Sequence, residues 1–265
     1  MNHSRRFLAA GLLGGTTFVL TQVLRAAHRS DLPSFPNQDI SGSFGHPDDP
    51  PLRIVAVGDS SLTIPGVENP DNAWMRVVAL EFARNHHVEL ISLGVGGSKA
   101  RDLIDGQLDA AVALAPHIAV VSVGANDAMR GVSGDRFRQR LDHIVTRLEQ
   151  TAGAVVVMGM GDAGSVPRLP RATRPYLTRR SSRFNDVCRE VALAHPRTVK
   201  VYTRGRIRTA FWEDHSLFAE DLFHAGDRGH RLFACESLPA FSAAYTLATG
   251  RPSPLPDEIP IEPTR

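Results

Sequence analysis

The stretch "RIVAVGDSSLT", Arg53 to Thr63, begins as an apolar run and stops abruptly at a glycine and an aspartate, which two serines follow. A short run that is nearly continuous in apolar, β-branched residues is typical of a strand buried on both faces of a parallel sheet. The stretch therefore predicts a central strand that ends in a polar turn. It raises the question of what Ser60 and Ser61 do there.

Four further runs repeat this pattern: "VELISLG" (88–94), "IAVVSVG" (118–124), "AVVVMGM" (154–160) and "TVKVYT" (198–203). Helical patterns separate them, and the first of these begins near Asp71. Five strands that alternate with five helices predict an α/β fold, a three-layer α/β/α sandwich with a five-stranded parallel sheet and right-handed crossovers. Ligands of such sheets bind at the carboxyl ends of the strands.

Segments of a different composition flank the predicted sandwich. Residues 29–51 are rich in Pro, Gly, Ser and Asp, which is typical of a linker. Residues 249–265 form a Pro-rich tail without a core-forming pattern, which predicts disorder. The sequence therefore predicts one folded domain over residues 52–248, a normal size for a single α/β domain.

The N-terminal segment, residues 1–28, differs in kind from the rest. Arg5 and Arg6 precede an apolar run from Phe7 to Leu24, which is typical of an export signal or a membrane anchor. The run is short for a spanning helix and no A-x-A cleavage site is evident, so an uncleaved anchor, a cleaved signal and a buried helix of a cytoplasmic protein all stay open. We expect a membrane-anchored or exported protein whose folded domain lies outside the cytoplasm.

Charge and cysteine content argue against several classes of protein. The formal net charge of the 265 residues is +2, which gives no general attraction to nucleic acid, so no such partner is expected. Cys188 and Cys235 are too few for a disulfide-stabilised scaffold, and neither has a neighbour at metal-ligand spacing. A disulfide between them stays open in an exported protein but is not what we predict. No metal or cofactor is expected.

Polar or glycine-rich residues follow the predicted strands at the edge where ligands bind. They are Ser60-Ser61 after the first strand, "GVGGSKA" (94–100) after the second, Asn126-Asp127 after the third, and "DLFHAGDRGH" (221–230) before the last helix. A nucleophilic serine needs a histidine as base, the histidine needs a carboxylate that fixes its tautomer, and the oxyanion needs N–H donors. These residue types predict acyl transfer by a serine nucleophile.

Four short motifs in this order resemble those of the SGNH, or GDSL-type, hydrolases: Gly58-Asp59-Ser60, a glycine of "VGGS" (95–98), Gly124-x-Asn126-Asp127 and Asp221-x-x-His224. Together they span nearly the whole folded part. The resemblance implies a flavodoxin-like fold, the catalytic residues Ser60, Asp221 and His224, and an oxyanion hole formed by Gly97, Asn126 and the Ser60 N–H. It also implies hydrolysis of a carboxylic ester, of the lipid or acylated-sugar type, through a seryl acyl-enzyme and without a metal.

Two assignments and two further functions stay open. The second motif has glycine where the family usually has a small polar residue, so Gly96 is an alternative to Gly97 as oxyanion donor. Asp227 and His230 form a second D-x-x-H, but Asp227 falls where the last helix should begin and is expected to cap it. A non-catalytic binding module on the same fold, or an acyltransferase that uses the same triad, would carry the same motifs.

Overall fold

The computed structural model describes residues 21–22, 25–26 and 29–263. The predicted N-terminal signal or anchor, residues 1–28, therefore lies almost entirely outside the described residues. Among the helices of the described part, none is long and apolar enough to cross a lipid bilayer.

One mixed sheet forms the middle layer of the described chain. Its strands are β1 Gly42–Phe44, β2 Pro51–Gly58, β3 His87–Ser92, β4 Ile118–Ser122, β5 Ala154–Val157 and β6 Thr198–Lys200. Their spatial order in the sheet is β1-β3-β2-β4-β5-β6. The five predicted strands are β2 to β6, and all of their pairings are parallel. The predicted number of five is corrected to six, because β1 pairs with β3 in antiparallel orientation at the edge.

The helices cover both faces of the sheet, as the α/β/α prediction requires. They are α1 Ser60–Thr63, α2 Trp74–Phe82, α3 Ala100–Gly106, α4 Leu108–Ala113, α5 Ala125–Met129, α6 Gly134–Glu149, α7 Arg174–Ala194, α8 Arg206–Glu213 and α9 Asp227–Thr249. Neighbouring residues of β2 point to opposite faces: Ile54 packs in a core with α2 and α9, and Val55 packs in a second core with α3, α4, α6 and α7. Both faces are buried, which explains the continuous apolar strands.

The strand order places two of the four motifs side by side. The five parallel strands follow the flavodoxin-like order, in which the first of them, β2, lies between β3 and β4. The chain winds in opposite directions on the two sides of β2, and ligands bind at the carboxyl edge of such a switch point. Gly58, which ends β2, pairs with Ser122 at the end of β4, so Ser60 and Asn126 follow adjacent strand ends.

Parts of the two flanking segments pack on the domain, although a linker and a disordered tail were expected there. Ile40 is fully buried, and β1 lies within the expected linker. In the tail, Ile259 is buried, and the Arg231 guanidinium donates hydrogen bonds to the Pro260 carbonyl at 2.9 and 2.7 Å. Isolated apolar residues among prolines and glycines have no period, so the sequence pattern does not detect such packing.

Cys188 and Cys235 are both free thiols and both buried. Cys188 belongs to the core on one face of the sheet and Cys235 to the core on the other face. The sheet between them therefore prevents the disulfide that the sequence left open.

Candidate active site

The end of β2 determines the geometry of the turn that carries Ser60. Gly58 lies against β4 so closely that a Cβ atom there would be 2.0 Å from the Ser122 carbonyl oxygen. Asp59 is the N-cap of α1, and its carboxylate accepts a hydrogen bond from the Ser61 N–H at 3.1 Å. The chain thus leaves the strand and enters a helical turn within one residue, which presents Ser60 at the edge of the sheet.

The two adjacent serines differ in their partners. The Ser61 hydroxyl forms a 2.6 Å hydrogen bond with the Ser122 hydroxyl, and the Ser61 carbonyl accepts one from the Trp74 indole at 2.9 Å. The Ser60 hydroxyl has no hydrogen-bond partner among the described residues. Both serines line the same cavity. Two hydrogen bonds therefore fix Ser61 to neighbouring elements, while the Ser60 hydroxyl remains free of such bonds.

Asp221 and His224 form a close pair in the loop before α9. The Asp221 Oδ2 lies 2.6 Å from His224 Nδ1, and its Oδ1 accepts the backbone N–H groups of Phe223 and His224, both at 2.9 Å. Burial would raise the pKa of Asp221, but the hydrogen bonds from His224 outweigh it and hold this pKa below its usual value. The carboxylate thus stays ionised and holds the Nδ1–H tautomer, which leaves Nε2 to accept a proton.

A cavity of about 170 Å³ connects these groups, because Ser60 and His224 both line it. Its walls are mainly apolar and come from α5, from the segment after β5, and from α8 and α9. They include Met129, Met158, Met160, Ile207, Phe211 and Phe233. The sequence motifs do not indicate these walls, since they lie outside the four blocks.

The two predicted oxyanion donors, Gly97 and Asn126, lie outside the cavity lining. Gly97 has φ +79° in the turn that the Ser98 N–H closes onto the Val95 carbonyl at 3.1 Å. Its own N–H has no acceptor among the described residues. The Asn126 side-chain amide contacts the Asp59 carboxylate at 3.5 Å. Gly96 remains an alternative, and a Cβ atom there would lie 2.5 Å from the Asn37 side chain.

The second D-x-x-H is not an ion pair in the described structure. The Asp227 carboxylate accepts the backbone N–H groups of Glu68 and Asn69 at 2.8 and 3.1 Å. It therefore secures the chain before α2 and does not cap its own helix, which corrects that expectation. His230 lies inside α9, and its Nδ1 accepts the Trp74 backbone N–H at 3.4 Å.

Two buried side chains around the end of β2, those of Asp59 and Gln107, have environments that the sequence does not indicate. Burial raises the pKa of the Asp59 carboxyl to about 6, against the opposing effect of its hydrogen bonds with Ser61 and Asn126. The Gln107 amide accepts the Gly58 N–H at 2.7 Å and donates to the Gly58 carbonyl at 3.0 Å. No sequence signal marks Gln107, because it is 49 residues from Gly58 and belongs to none of the motifs.

Comparison with known proteins relates this geometry to a family. The model described as the GDSL-like Lipase/Acylhydrolase family matches residues 56–232, whereas no curated protein matches the chain. Similar solved structures include TesA, with a TM-score of 0.60 and 18% identity over 72% of this chain and 99% of that one. A catalytic mutant of Axe2, an acetylxylan esterase from Geobacillus stearothermophilus, gives 0.59 and 16%, over 72% and 94%. The psychrotrophic esterase EstA from Pseudoalteromonas sp. gives 0.54 and 17%, over 71% and 96%. At these identities the structural likeness establishes the shared fold.

Proposed function

Since this chain belongs to the GDSL-like lipase/acylhydrolase family, we propose that it is a serine esterase that hydrolyses carboxylic esters through an acyl-enzyme on Ser60. The observation that carries the proposal is the Asp221–His224 hydrogen bond of 2.6 Å, formed in a loop whose histidine lines the same cavity as the free Ser60 hydroxyl. A base with a fixed tautomer and an unbonded hydroxyl that line one cavity are the groups that nucleophilic catalysis needs.

In the proposed reaction His224 Nε2 takes the Ser60 proton as Ser60 Oγ attacks the ester carbonyl carbon. The Asp221 carboxylate stabilises the imidazolium that forms. The N–H groups of Ser60 and Gly97 and the Asn126 amide donate hydrogen bonds that stabilise the negative charge on the tetrahedral oxygen. His224 then protonates the departing alcohol, and a water molecule activated by His224 hydrolyses the acyl-enzyme by the reverse sequence of proton transfers.

We infer that the substrate is an ester with an apolar acyl group, of the lipid or acylated-sugar type. The support is the composition of the cavity, in which methionine and phenylalanine side chains surround the space next to Ser60. Methionine is flexible and polarizable, so such walls adapt to acyl groups of different shape.

The test uses a fluorophosphonate probe, which labels activated serine nucleophiles, followed by mass spectrometry of the modified peptide. We expect labelling at Ser60 and turnover of a p-nitrophenyl ester, both lost in Ser60→Ala, while the matched Ser61→Ala variant keeps both. Absence of labelling and turnover would favour a binding module. Acyl transfer to an added alcohol in preference to water would identify an acyltransferase.

We also propose that residues 1–28 direct the domain out of the cytoplasm and retain it at a membrane. The support comes from the sequence, in which Arg5 and Arg6 precede the apolar run. Fractionation of cells that express the full chain, together with the mass of the mature N-terminus, provides the test. A cytoplasmic protein with an intact N-terminus would contradict the proposal, and a start beyond residue 24 would replace the anchor by a cleaved signal.

A further inference from the structure

A buried histidine forms part of the cavity wall without a role in the proposed proton transfers. His230 lies in the first turn of α9, is 3% exposed, and lines the cavity together with Trp74, Phe211 and Phe233. Its ring meets the Phe233 ring edge to face, with the centroids 5.8 Å apart. Its two ring nitrogens are polar atoms beside the apolar rings of Phe211 and Phe233, and the Trp74 indole N–H already donates to the Ser61 carbonyl.

The hydrogen bonds of His230 determine which nitrogen carries the proton. The Trp74 backbone N–H donates to Nδ1 at 3.4 Å, so Nδ1 is the unprotonated nitrogen. Burial lowers the pKa of His230 to about 4, with a smaller contribution from His224 in the same direction and an opposing one from Asp227. The ring is therefore neutral at neutral pH, and its proton resides on Nε2.

The Nε2–H donor has no acceptor among the described residues. Nε2 is not among the fully buried side-chain atoms that lack a partner, so it is accessible from the cavity that the ring lines. A ligand that displaces water from such a donor without offering an acceptor loses about 1–3 kcal/mol. The Nδ1 edge is occupied by Trp74, so the remaining polar edge of this cavity-lining ring is the Nε2 edge. Whatever fills the cavity next to His230 is therefore favoured if it brings a hydrogen-bond acceptor.

We propose that the cavity binds the acyl chain of the ester and that His230 Nε2–H donates a hydrogen bond to an oxygen within that chain. The preferred substrates are then esters of oxygenated acyl groups, which carry a hydroxyl, ether or oxo oxygen along an otherwise apolar chain. This inference rests on the proposed esterase function.

The two-step reaction gives a reason to assign the acyl group, and not the alcohol, to this cavity. The acyl chain stays on Ser60 from the first step to the second, whereas the alcohol must leave and water must replace it. An apolar cavity next to Ser60 suits the group that stays. Two further lining residues, Thr203 and Ser165, already have acceptors for their hydroxyl protons, in Asn185 Oδ1 at 3.1 Å and the Asp162 carbonyl at 2.8 Å.

The test compares p-nitrophenyl hexanoate with analogues in which an ether oxygen replaces one methylene, at position 3, 4 or 5 of the chain. Length and leaving group are constant, and each kcat/KM is divided by the rate of alkaline hydrolysis of the same ester to remove inductive effects. In an apolar cavity the oxygen loses its hydration, which lowers kcat/KM by about tenfold or more. We expect at least one analogue to equal or exceed hexanoate, at the position where the oxygen meets His230.

Two variants of His230 separate its contact with Trp74 from its contact with the substrate. In His230→Asn the amide oxygen lies close to the former Nδ1 position and accepts the Trp74 N–H, but its side chain is too short to replace Nε2–H. In His230→Gln the longer side chain restores a donor near the Nε2 position. We expect the ether-to-methylene preference to fall about tenfold in the asparagine variant and to be largely kept in the glutamine variant.

Each result has a definite consequence. The inference is overturned if the wild-type protein gives every ether analogue a normalised kcat/KM at least tenfold below that of hexanoate, because a bound water then satisfies His230. This comparison needs only the wild-type protein, so it remains valid even if neither variant folds. An equal preference in folded wild-type and His230→Asn proteins also overturns it. Ser60-dependent turnover of hexanoate supports the esterase function independently, whereas turnover of no ester removes both proposals.

Discussion

Replacement of Asp221 by asparagine tests the assigned triad most directly. In Asp221→Asn the amide oxygen takes the place of Oδ1 and accepts the Phe223 and His224 N–H groups, so the loop retains its two backbone hydrogen bonds of 2.9 Å. The amide NH2 group then replaces Oδ2 opposite His224 Nδ1. That group donates, so Nδ1 must accept and the imidazole proton moves to Nε2. In this tautomer His224 has no free nitrogen for the Ser60 proton.

The expected loss follows from the tautomer and from the lost negative charge. We expect kcat/KM to fall about 10⁴-fold, as it does in other serine hydrolases with this change, which corresponds to about 5.5 kcal/mol of transition-state free energy. His224→Ala should cost more, about 10⁵–10⁶-fold, because it removes the base itself. The free energy of unfolding should change by about 1 kcal/mol or less in Asp221→Asn, since the backbone contacts are kept.

The assay is the burst of p-nitrophenol in the acylation step, with circular dichroism and thermal unfolding as checks of the fold. Asp227→Asn is the matched control, because it alters the carboxylate of the second D-x-x-H, which accepts two backbone N–H groups and the Asn72 side-chain amide and has no bond to any histidine that the structure describes. It should lower stability and leave acylation within a few fold of wild type. More than a tenth of wild-type acylation in Asp221→Asn, or an equal loss in Asp227→Asn, would refute this assignment.

Three further predictions test other parts of the site. Ser60→Ala should abolish ester turnover while Ser61→Ala keeps most of it; labelling of Ser61 by a fluorophosphonate would reverse that assignment. Because the Asp59 pKa rises from 3.8 to about 6 on folding, its stabilising contribution is full below pH 4 and is lost as the pH rises through 6. In urea unfolding, the free energy of unfolding of Asp59→Asn should therefore rise by about 2 kcal/mol relative to that of the wild-type protein between pH 4 and pH 7, and a constant difference would contradict the buried carboxyl. Gln107→Leu leaves the Gly58 N–H unpaired and should cost about 1–3 kcal/mol of unfolding free energy, whereas an unchanged urea midpoint would mean that the hydrogen bond is dispensable.

The central strands β2, β4 and β5 were predictable because they are buried on both faces, whereas β3 and β6 are partly exposed and are indicated by their β-branched residues. Each of β2 to β6 is a short β-branched run that local sequence identifies without knowledge of its neighbours. The three-residue strand β1 has no such pattern, since it pairs only at the edge through backbone hydrogen bonds with β3. Its sequence "GSF" follows and precedes turn residues, so no local signal separates it from a linker.

The positions of the candidate residues could also be predicted from the sequence, because parallel strands bring their carboxyl ends to one edge of the sheet. That rule, with the order of the motifs, predicts that Ser60, Asn126 and the Asp221–His224 segment lie at the same edge of the sheet. The pairing of Asp221 with His224 is equally local, since the two residues are three apart in a single loop.

Long-range contacts determine the side-chain partners, the cavity walls and the pKa shifts, which the sequence did not predict. The Ser61 hydroxyl forms a hydrogen bond with that of Ser122, which lies 61 residues away in sequence. The Asp227 carboxylate accepts a hydrogen bond from a loop more than 150 residues away. The cavity takes its walls from α5, the end of β5, α8 and α9, and the burial that shifts the pKa of Asp59 and His230 comes from the same packing. Composition and period report what a segment prefers by itself, whereas hydrogen-bond partners and desolvation depend on segments that meet only when the chain has folded.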